Sequence, residues 1–512
     1  MDTANLESKL WAVAKKYRAK MESIEFRNYI LGFIFFKHLS VKLEHYCDEL
    51  LKQDNLKFRE LDKNTKNYKD VIKALEIESK ENLGYFFKPD QLFSIIANKG
   101  IQTTDNFILD ILNQALKNIE QSTLGTEAED DFGDLFEDLD LTNSKLGKSE
   151  SDKNTLVSNI MSKLDEISIS SVSDDLLGDA YEYLIKQFAD EQKKNAGEFY
   201  TPREVSKLMA KIVTVNKKKL KSVYDPTCGS GSLLLRIAEE VDSIGCYYGQ
   251  ESIRTTFNLA RMNMLLHNIH YLNFDLKQDD TLKNPLHISE KFEAIVANPP
   301  FSHEWDPSES MLQDERFSDY GKLAPKNLAD YAFIQHMLYQ LEDNGIMVAV
   351  MPHGVLFRKN AEKTIRDYII ENQNYLDAVI GLPKNIFYGT PGKTCLLIFK
   401  KQREHPDNIM FIDASSEFIK QKKKNKIGEE QINKIFDTYI KRISINKYSR
   451  KVSLSEIKDN NNVLSVNKYV ENLEIETVRN VPDILTELNQ TQKELTKIDN
   501  SFNEFLEKLT TK

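Results

Sequence analysis

The chain has 512 residues, 40% of them apolar and 10% aromatic, and carries a formal charge of −10 from 69 basic and 79 acidic side chains. That length predicts two to four domains with sizeable cores. The strongest apolar run, Tyr29 to Phe36, stops at Lys37, well short of the ~18 residues that mark a membrane span. Cys47, Cys228, Cys246 and Cys395 form no C-x-x-C pair and no signal-peptide pattern precedes them, which predicts a reducing, cytoplasmic setting and no disulfide framework or structural zinc.

Residues from about 5 to 165 read as helical, with Leu6, Leu10, Val13 and Tyr17 at helical spacing. The stretch from Glu127 to Asp140 holds eight acids and no bases, so residues 127–153 are expected to form a solvated insert. A second amphipathic stretch from about 170 to 195 carries Leu176, Ala180, Tyr183, Leu184 and Phe188. In Gly197-Glu198-Phe199-Tyr200-Thr201-Pro202-Arg203-Glu204-Val205, Thr201 is expected to be an N-cap, with Pro202 at the first helical position and Glu204 in the first turn.

From about 195 to 415 strand and helix patterns alternate, as in a mostly parallel, doubly wound sheet. Lys221 to Tyr224 reads as a strand leading into Asp225-Pro226-Thr227-Cys228-Gly229-Ser230-Gly231-Ser232 and then the helical Leu233, Leu234, Ile237, Ala238 and Val241. Gly229 and Gly231 permit a tight turn that brings backbone N–H groups close to a ligand. The position three past Gly231 is Leu234, so the dinucleotide fingerprint fails. Glu251, after the strand Cys246 to Gly249, stands where a carboxylate accepts from ribose hydroxyls. His267 and His270 have H-x-x-H spacing, but no neighbouring ligand type marks a metal site.

The apolar run Phe292 to Val296 ends in Ala297-Asn298-Pro299-Pro300-Phe301-Ser302, at the carboxyl end of a buried strand, where open α/β sheets bind ligands. The Asn298 side-chain oxygen and the Pro299 carbonyl can both accept from one NH2 group while Phe301 stacks on a ring. This is equipment for holding a planar ring that carries an exocyclic amine. Further strands are expected at Gly345–Pro352, Leu376–Leu382 and Thr394–Lys400. Gly389-Thr390-Pro391-Gly392-Lys393-Thr394 imitates a phosphate loop but is too short and precedes a strand instead of following one. Near the end, Leu488, Thr491, Leu495, Ile498, Phe502, Phe505 and Leu509 repeat in steps of three and four, a coiled-coil seam suited to a partner helix.

In this order and spacing, G-E-F-Y-T-P-R, D-P-T-C-G-S-G-S, G-Q-E and N-P-P-F resemble the amino methyltransferases that modify DNA. Nearly the whole chain resembles the modification subunit of type I restriction-modification systems. The stretch Phe26 to Lys37, Ser318-Asp319-Tyr320-Gly321, Asp330-Tyr331-Ala332-Phe333 and Pro352-His353-Gly354-Val355-Leu356-Phe357 share in that likeness. The resemblance implies a Rossmann-like, S-adenosylmethionine-dependent methyltransferase sheet at 166–420, an all-helical domain at 1–165 and a C-terminal helical, coiled-coil tail at 421–512. It implies S-adenosylmethionine as donor and adenine N6 in double-stranded DNA as acceptor, reached by base flipping.

Carried over by position, Glu198, Phe199, Tyr200, Thr201, Pro202 and Arg203 would line the methionine end, with Thr201 facing the carboxylate. Asp225, Gly229, Ser230, Gly231 and Ser232 would form the donor loop, Glu251 would bind the ribose, and Asp280 or its neighbour Asp279 would meet the donor adenine. Asn298, Pro299, Pro300 and Phe301 would be catalytic. The same likeness implies two copies of the chain with one specificity subunit that reads the sequence, joined by a restriction subunit. Cytosine N4 transfer, glutamine N5 transfer to a protein, and a catalytically silent donor-binding assembly subunit are the alternatives.

Overall fold

The computed structural model describes residues 3–17, 23–62, 64–102, 108–169, 174–191, 201–387, 392–420, 425–470, 488–500 and 502. The N-terminal part is helical, built from Thr3–Tyr17, Ser23–Leu50, Tyr68–Leu83, Phe93–Gln102, Leu109–Thr123 and Glu150–Asp165. Ser23–Leu50 runs through its centre: Tyr29, Ile30, Leu31, Phe33, Ile34, Phe35 and Phe36 are all buried. A helix apolar on every face belongs inside a protein core. Lys37 ends the run by giving its ammonium to the carbonyls of Leu164 and Ile167, both at 2.6 Å. Among the described residues no helix is long and apolar enough to cross a membrane.

The acidic stretch is not the solvated insert expected. Phe132, Leu135, Phe136, Leu139 and Leu141 within it are buried, so hydrophobic burial folds the segment down although its charge would keep it in water. Its acids and carbonyls then face bases of the sheet unit. Arg254 meets Asp134 at 2.8 Å, Lys277 meets Asp130 at 3.1 Å, and Arg261 donates to the carbonyls of Asp130 and Gly133 at 2.8 and 2.9 Å.

The second unit is built on nine strands: β1 (Lys219–Asp225), β2 (Ser243–Glu251), β3 (Phe274–Gln278), β4 (Phe292–Ala297), β5 (Leu341–Pro352), β6 (Leu376–Gly381), β7 (Thr394–Lys400), β8 (Asn408–Asp413) and β9 (Ser449–Ser453). They lie in the order β9-β8-β6-β7-β5-β4-β1-β2-β3. The pairs β1–β2, β2–β3, β1–β4, β4–β5 and β6–β8 are parallel, while β7 runs antiparallel to β5 and β6 and β9 antiparallel to β8. The chain moves outward from β1 through β2 to β3, then returns to place β4 on the other side of β1. This switch point opens a crevice at the carboxyl ends of β1 and β4, where doubly wound sheets bind ligands. All six residues of β4 are buried, as in a strand covered on both faces.

The expected boundary at 420 falls inside this unit. Residues 425–470 supply the helix Glu429–Lys441, the edge strand β9 and the short helices Leu454–Asp459 and Val466–Val470, whose Val452, Ile457, Val466 and Tyr469 join the core beneath β8. The seam residues Leu488, Thr491, Leu495 and Ile498 fall in a helix over 488–500. Leu488, Leu495, Ile498 and Phe502 are each 58–67% exposed. Phe505 and Leu509 lie outside the described residues.

Candidate active site

β1 delivers Asp225 to the crevice with only 2% of its surface exposed. Its Oδ1 accepts from the backbone N–H of Thr227 at 2.9 Å and from the Thr227 hydroxyl at 3.3 Å. Burial pushes the carboxyl up to about 7 against those bonds, and the neighbouring Glu251 adds to the rise. The chain then turns through Gly229 (φ +56°) and Gly231 (φ +75°), both left-handed, a conformation that costs other residues about 1 kcal/mol or more. Ser232 opens the helix Ser232–Ala238.

Glu251, at the tip of β2, ties the two strand ends together. Its Oε2 accepts the Gly229 N–H at 3.0 Å and its Oε1 the Ile253 N–H at 2.8 Å. Burial raises its pKa, and the same N–H groups oppose the rise. Past β3, the Asp279 N–H donates to the Glu251 carbonyl at 3.1 Å. Asp280 caps the next turn through the N–H groups of Leu282 and Lys283.

A cavity of about 320 Å³ opens over these strand ends, within the range of small-ligand sites. Glu251, Asp279 and Asp280 line it together with Asn298, Pro300 and Phe333. Both adjacent aspartates therefore face it. The Asn298 side-chain oxygen is buried and accepts no hydrogen bond among the described residues. Pro299 is buried, and Phe301 stands at the edge of the loop with its ring edge-on to Phe387, centroids 6.2 Å apart. Sequence reasoning missed Phe387; an aromatic before the Gly389-Thr390 stretch was the available signal. It also missed Arg316, which is buried and clamps the cavity floor by donating to the carbonyls of Thr281 and Leu282 at 3.0 and 2.9 Å.

The capped segment differs from expectation. The helix runs Arg203–Val213 with Pro202, not Thr201, at the N-cap. Pro202 is extended (φ −53°, ψ 133°) and its carbonyl already accepts from Val205 and Ser206. A carbonyl bonded into the helix from a residue of non-helical dihedrals defines the cap, leaving Thr201 one position outside. Thr201 is buried. Arg203 turns to Asp179 at 3.2 Å and Glu239 at 3.7 Å. Neither Thr201, Pro202 and Arg203 nor Gly229 to Ser232 are among the cavity-lining residues, and Glu198, Phe199 and Tyr200 lie outside the described residues. Among the described residues one trio could hold a cation, Asp179, Glu182 and His267, with ligand atoms within 4.8 Å. Arg203 and Arg236 already neutralise its two carboxylates, and His270 is not part of it.

A mostly parallel switch-point sheet with two acids beside a glycine turn and an amide-bearing Pro-Pro loop is the arrangement of a transferase that sets a nucleoside-containing donor against an amine. Residues 172–477 match the N-6 DNA methylase family and residues 6–164 the HsdM N-terminal domain. The chain is 38% identical over 493 residues, 91% of its length and 89% of the relative's, to the type I restriction enzyme MpnII methylase subunit of Mycoplasma pneumoniae. It is 33% identical to the MjaVIII methylase subunit of Methanocaldococcus jannaschii, over 67% of this chain and 62% of that one. The crystal structure of the type I restriction-modification methyltransferase subunit from Streptococcus thermophilus superposes with a TM-score of 0.84 at 37% identity, covering 92% of this chain and all of the other. The chain belongs to the methylase subunits of type I restriction-modification systems and methylates adenine N6 in DNA. That membership selects the adenine reading over the cytosine, protein and silent alternatives.

Proposed function

We propose that the chain uses S-adenosylmethionine as donor and that Asn298, Pro299, Pro300 and Phe301 hold the target adenine. The observation that carries this reading is the buried, unpartnered Asn298 oxygen on the cavity wall. A buried acceptor without a donor costs about 1–3 kcal/mol, and an entering amine removes that cost.

The residues fit the donor. Glu251 and Asp280 offer carboxylate oxygens to a ribose and an adenine amine, and the Gly229 and Gly231 turn brings backbone close by. Asp225 braces that turn from below through Thr227. When bound, S-adenosylmethionine supplies an electrophilic methyl group on a sulfonium. The adenine amine is a poor nucleophile because its lone pair is delocalised into the ring. Asn298 and the Pro299 carbonyl, by accepting hydrogen bonds from its two N–H groups, draw the nitrogen toward tetrahedral geometry and free the lone pair for the methyl carbon; the proton the nitrogen then sheds passes to solvent. The loop then contributes alignment and electrostatics more than base strength. The base must leave the duplex, at about a few kcal/mol of unstacking, and Phe301, backed by Phe387, restores part of that by stacking.

The test is Asn298→Ala, assayed with its cognate specificity subunit and DNA by counting N6-methyladenine. Transfer should fall at least about 100-fold; a folded variant methylating at the parental rate would refute the assignment. The exposed seam residues Leu488, Leu495, Ile498 and Phe502 support docking on a helix of the specificity subunit; the family architecture supports two copies of this chain to one of that subunit, with a restriction subunit joining for cleavage.

A further inference from the structure

Two segments that look like the family, Asp330 to Phe333 and Pro352 to Phe357, have no part in the chemistry above, yet the fold joins them directly behind the Asn298 loop. Asp330 opens the helix Asp330–Gln340 and is 1% exposed. Its Oδ2 receives the Arg358 guanidinium at 2.7 Å, and Arg358 also meets Glu362 at 3.1 Å. Arg358 lies flat against Gly354, where any Cβ would collide with the guanidinium. The Tyr331 hydroxyl donates to the Val355 carbonyl at 2.8 Å. The pair is thus a fixed strut.

The free end of the strut reaches the catalytic loop. Asp330 Oδ1 accepts the Ser302 N–H at 3.3 Å. Ser302 follows Phe301 immediately and sits in the left-handed region at φ +53°, a conformation a non-glycine residue keeps only when its surroundings impose it. The same wall continues downstream, where Ala329 donates to the His303 carbonyl at 3.1 Å and Trp305 to that of Lys326 at 2.9 Å. Phe333, one turn along the same helix, lines the cavity.

We infer that Asp330 is a positioning residue for methyl transfer: held by Arg358, its carboxylate pins the strained Ser302 turn and so sets the pose of Asn298 and Phe301. The inference rests on the catalytic reading of that loop. It predicts a defect in the transfer step and not in donor binding, because Asp330 makes no bond to Glu251, Asp279 or Asp280. A misplacement of about 1 Å is enough to slow transfer by about 100-fold.

The experiment uses the chain assembled with its cognate specificity subunit, on duplexes with adenine or 2-aminopurine at the target position. Asp330→Ala should lower kcat about 10- to 100-fold with the dissociation constant for S-adenosylmethionine within about twofold of the parent. The 2-aminopurine emission, quenched in the parent by stacking, should rise toward that of Phe301→Ala. Asp330→Asn keeps an acceptor for Ser302 and should fall between the two. Adding Ser302→Gly, which tolerates positive φ without an anchor, should restore part of the lost rate. A kcat for Asp330→Ala within twofold of the parent overturns the inference, as does a parallel loss of donor affinity, or a slow variant with unchanged emission and no rescue. If Asp330→Ala does not fold, Asp330→Asn with and without Ser302→Gly decides by the same criteria. Asn298→Ala at full rate would sink the loop reading itself, whereas an inactive Asn298→Ala beside a fully active Asp330→Ala sinks only the role of Asp330.

Discussion

Asp131 sits where the acidic segment meets the sheet unit, and its replacement by Asn gives a prediction with a definite sign. The residue is 8% exposed, and burial pushes its carboxyl from 3.8 up to about 7, although Arg261 opposes the rise. Burial also dominates at Arg261, pulled down to about 10 while Asp131 pulls it back. In the unfolded chain the carboxyl ionises near 3.8, so below that pH both states are protonated and nothing is lost. Between about 4 and 7 the unfolded state releases its proton first, and folding stability falls as pH rises. Above 7 the loss is complete, with a ceiling of about 4 kcal/mol at 1.36 kcal/mol per pH unit. Asp131→Asn should therefore leave stability unchanged near pH 4 and raise it by ~1–4 kcal/mol at pH 8. Urea unfolding at both pH values, with hydrogen exchange across 129–139 to isolate this segment, measures the difference. A variant that tracks the parent from pH 5 to pH 8 would show that Asp131 is charged and well paired in the folded state, contrary to the reasoning. Arg261→Met should cost about 2–5 kcal/mol in the same unfolding experiment, since the Asp130 and Gly133 carbonyls both lose their donor.

Glu251→Ala strips the N–H groups of Gly229 and Ile253 of their acceptor as well as the donor of its carboxylate. Calorimetric affinity for S-adenosylmethionine should fall about 10- to 100-fold at 1.5–3 kcal/mol for a charged hydrogen bond; a change under twofold would exclude Glu251 from the donor site. Leu495→Glu with Ile498→Glu places two charges on the exposed seam. Co-purification with the specificity subunit should be lost while donor affinity is retained, and an intact complex would move the docking surface elsewhere.

The parts legible in sequence are those coded by local stereochemistry. Two glycines at positive φ after a buried strand, and Asn-Pro-Pro-Phe after another, force their turns within a few residues, and the alternation of strand and helix sets them at the switch point. The acidic run misled because its charge was weighed and Phe132, Leu135, Phe136 and Leu139 were not; the surface that takes Phe132, Phe136 and Leu139 lies far back in the chain, at Tyr85, Phe35 and Gly32 of the helical unit. β9 was missed because Ser449-Arg450-Lys451-Val452-Ser453 has one buried hydrophobe and exposed charges at Arg450 and Lys451, the composition of an edge strand as much as of a loop. Thr201 gave a good cap chemistry at the wrong position because Pro202 can also end a helix with its carbonyl alone. Asp330 stood out only through the family likeness and Phe387 not at all, because nothing local connects either to Asn298. Only the folded packing does so, through the Ser302 N–H to Asp330 and the Phe387 ring against Phe301.

The charge of the chain becomes intelligible once the direction of β1 is known. Lys218, Lys219 and Lys221 are exposed at its amino end, whereas Asp225 enters the crevice at its carboxyl end. At about 3.3 Å per residue the two ends stand ~20 Å apart, so these lysines lie on the opposite rim of the sheet from the loop that takes the base. Neighbouring bases are already committed: Lys217 to Glu293 at 3.8 Å, Lys211 to Glu240 at 3.5 Å and Lys207 to Glu429 at 2.8 Å. A net charge of −10, with the basic run at Lys217 to Lys221 facing away from the site, fits a subunit that performs the transfer while most of the phosphate contacts come from its partner. Reversing Lys218, Lys219 and Lys221 to Glu together should therefore leave methylation by the assembled complex within about twofold of the parent. It should also leave the slope of log affinity against log salt unchanged, because that slope counts neutralised phosphates at about 0.9 per contact. A slope reduced by two or three would put these lysines on the DNA and require the duplex to wrap to the far side of the sheet.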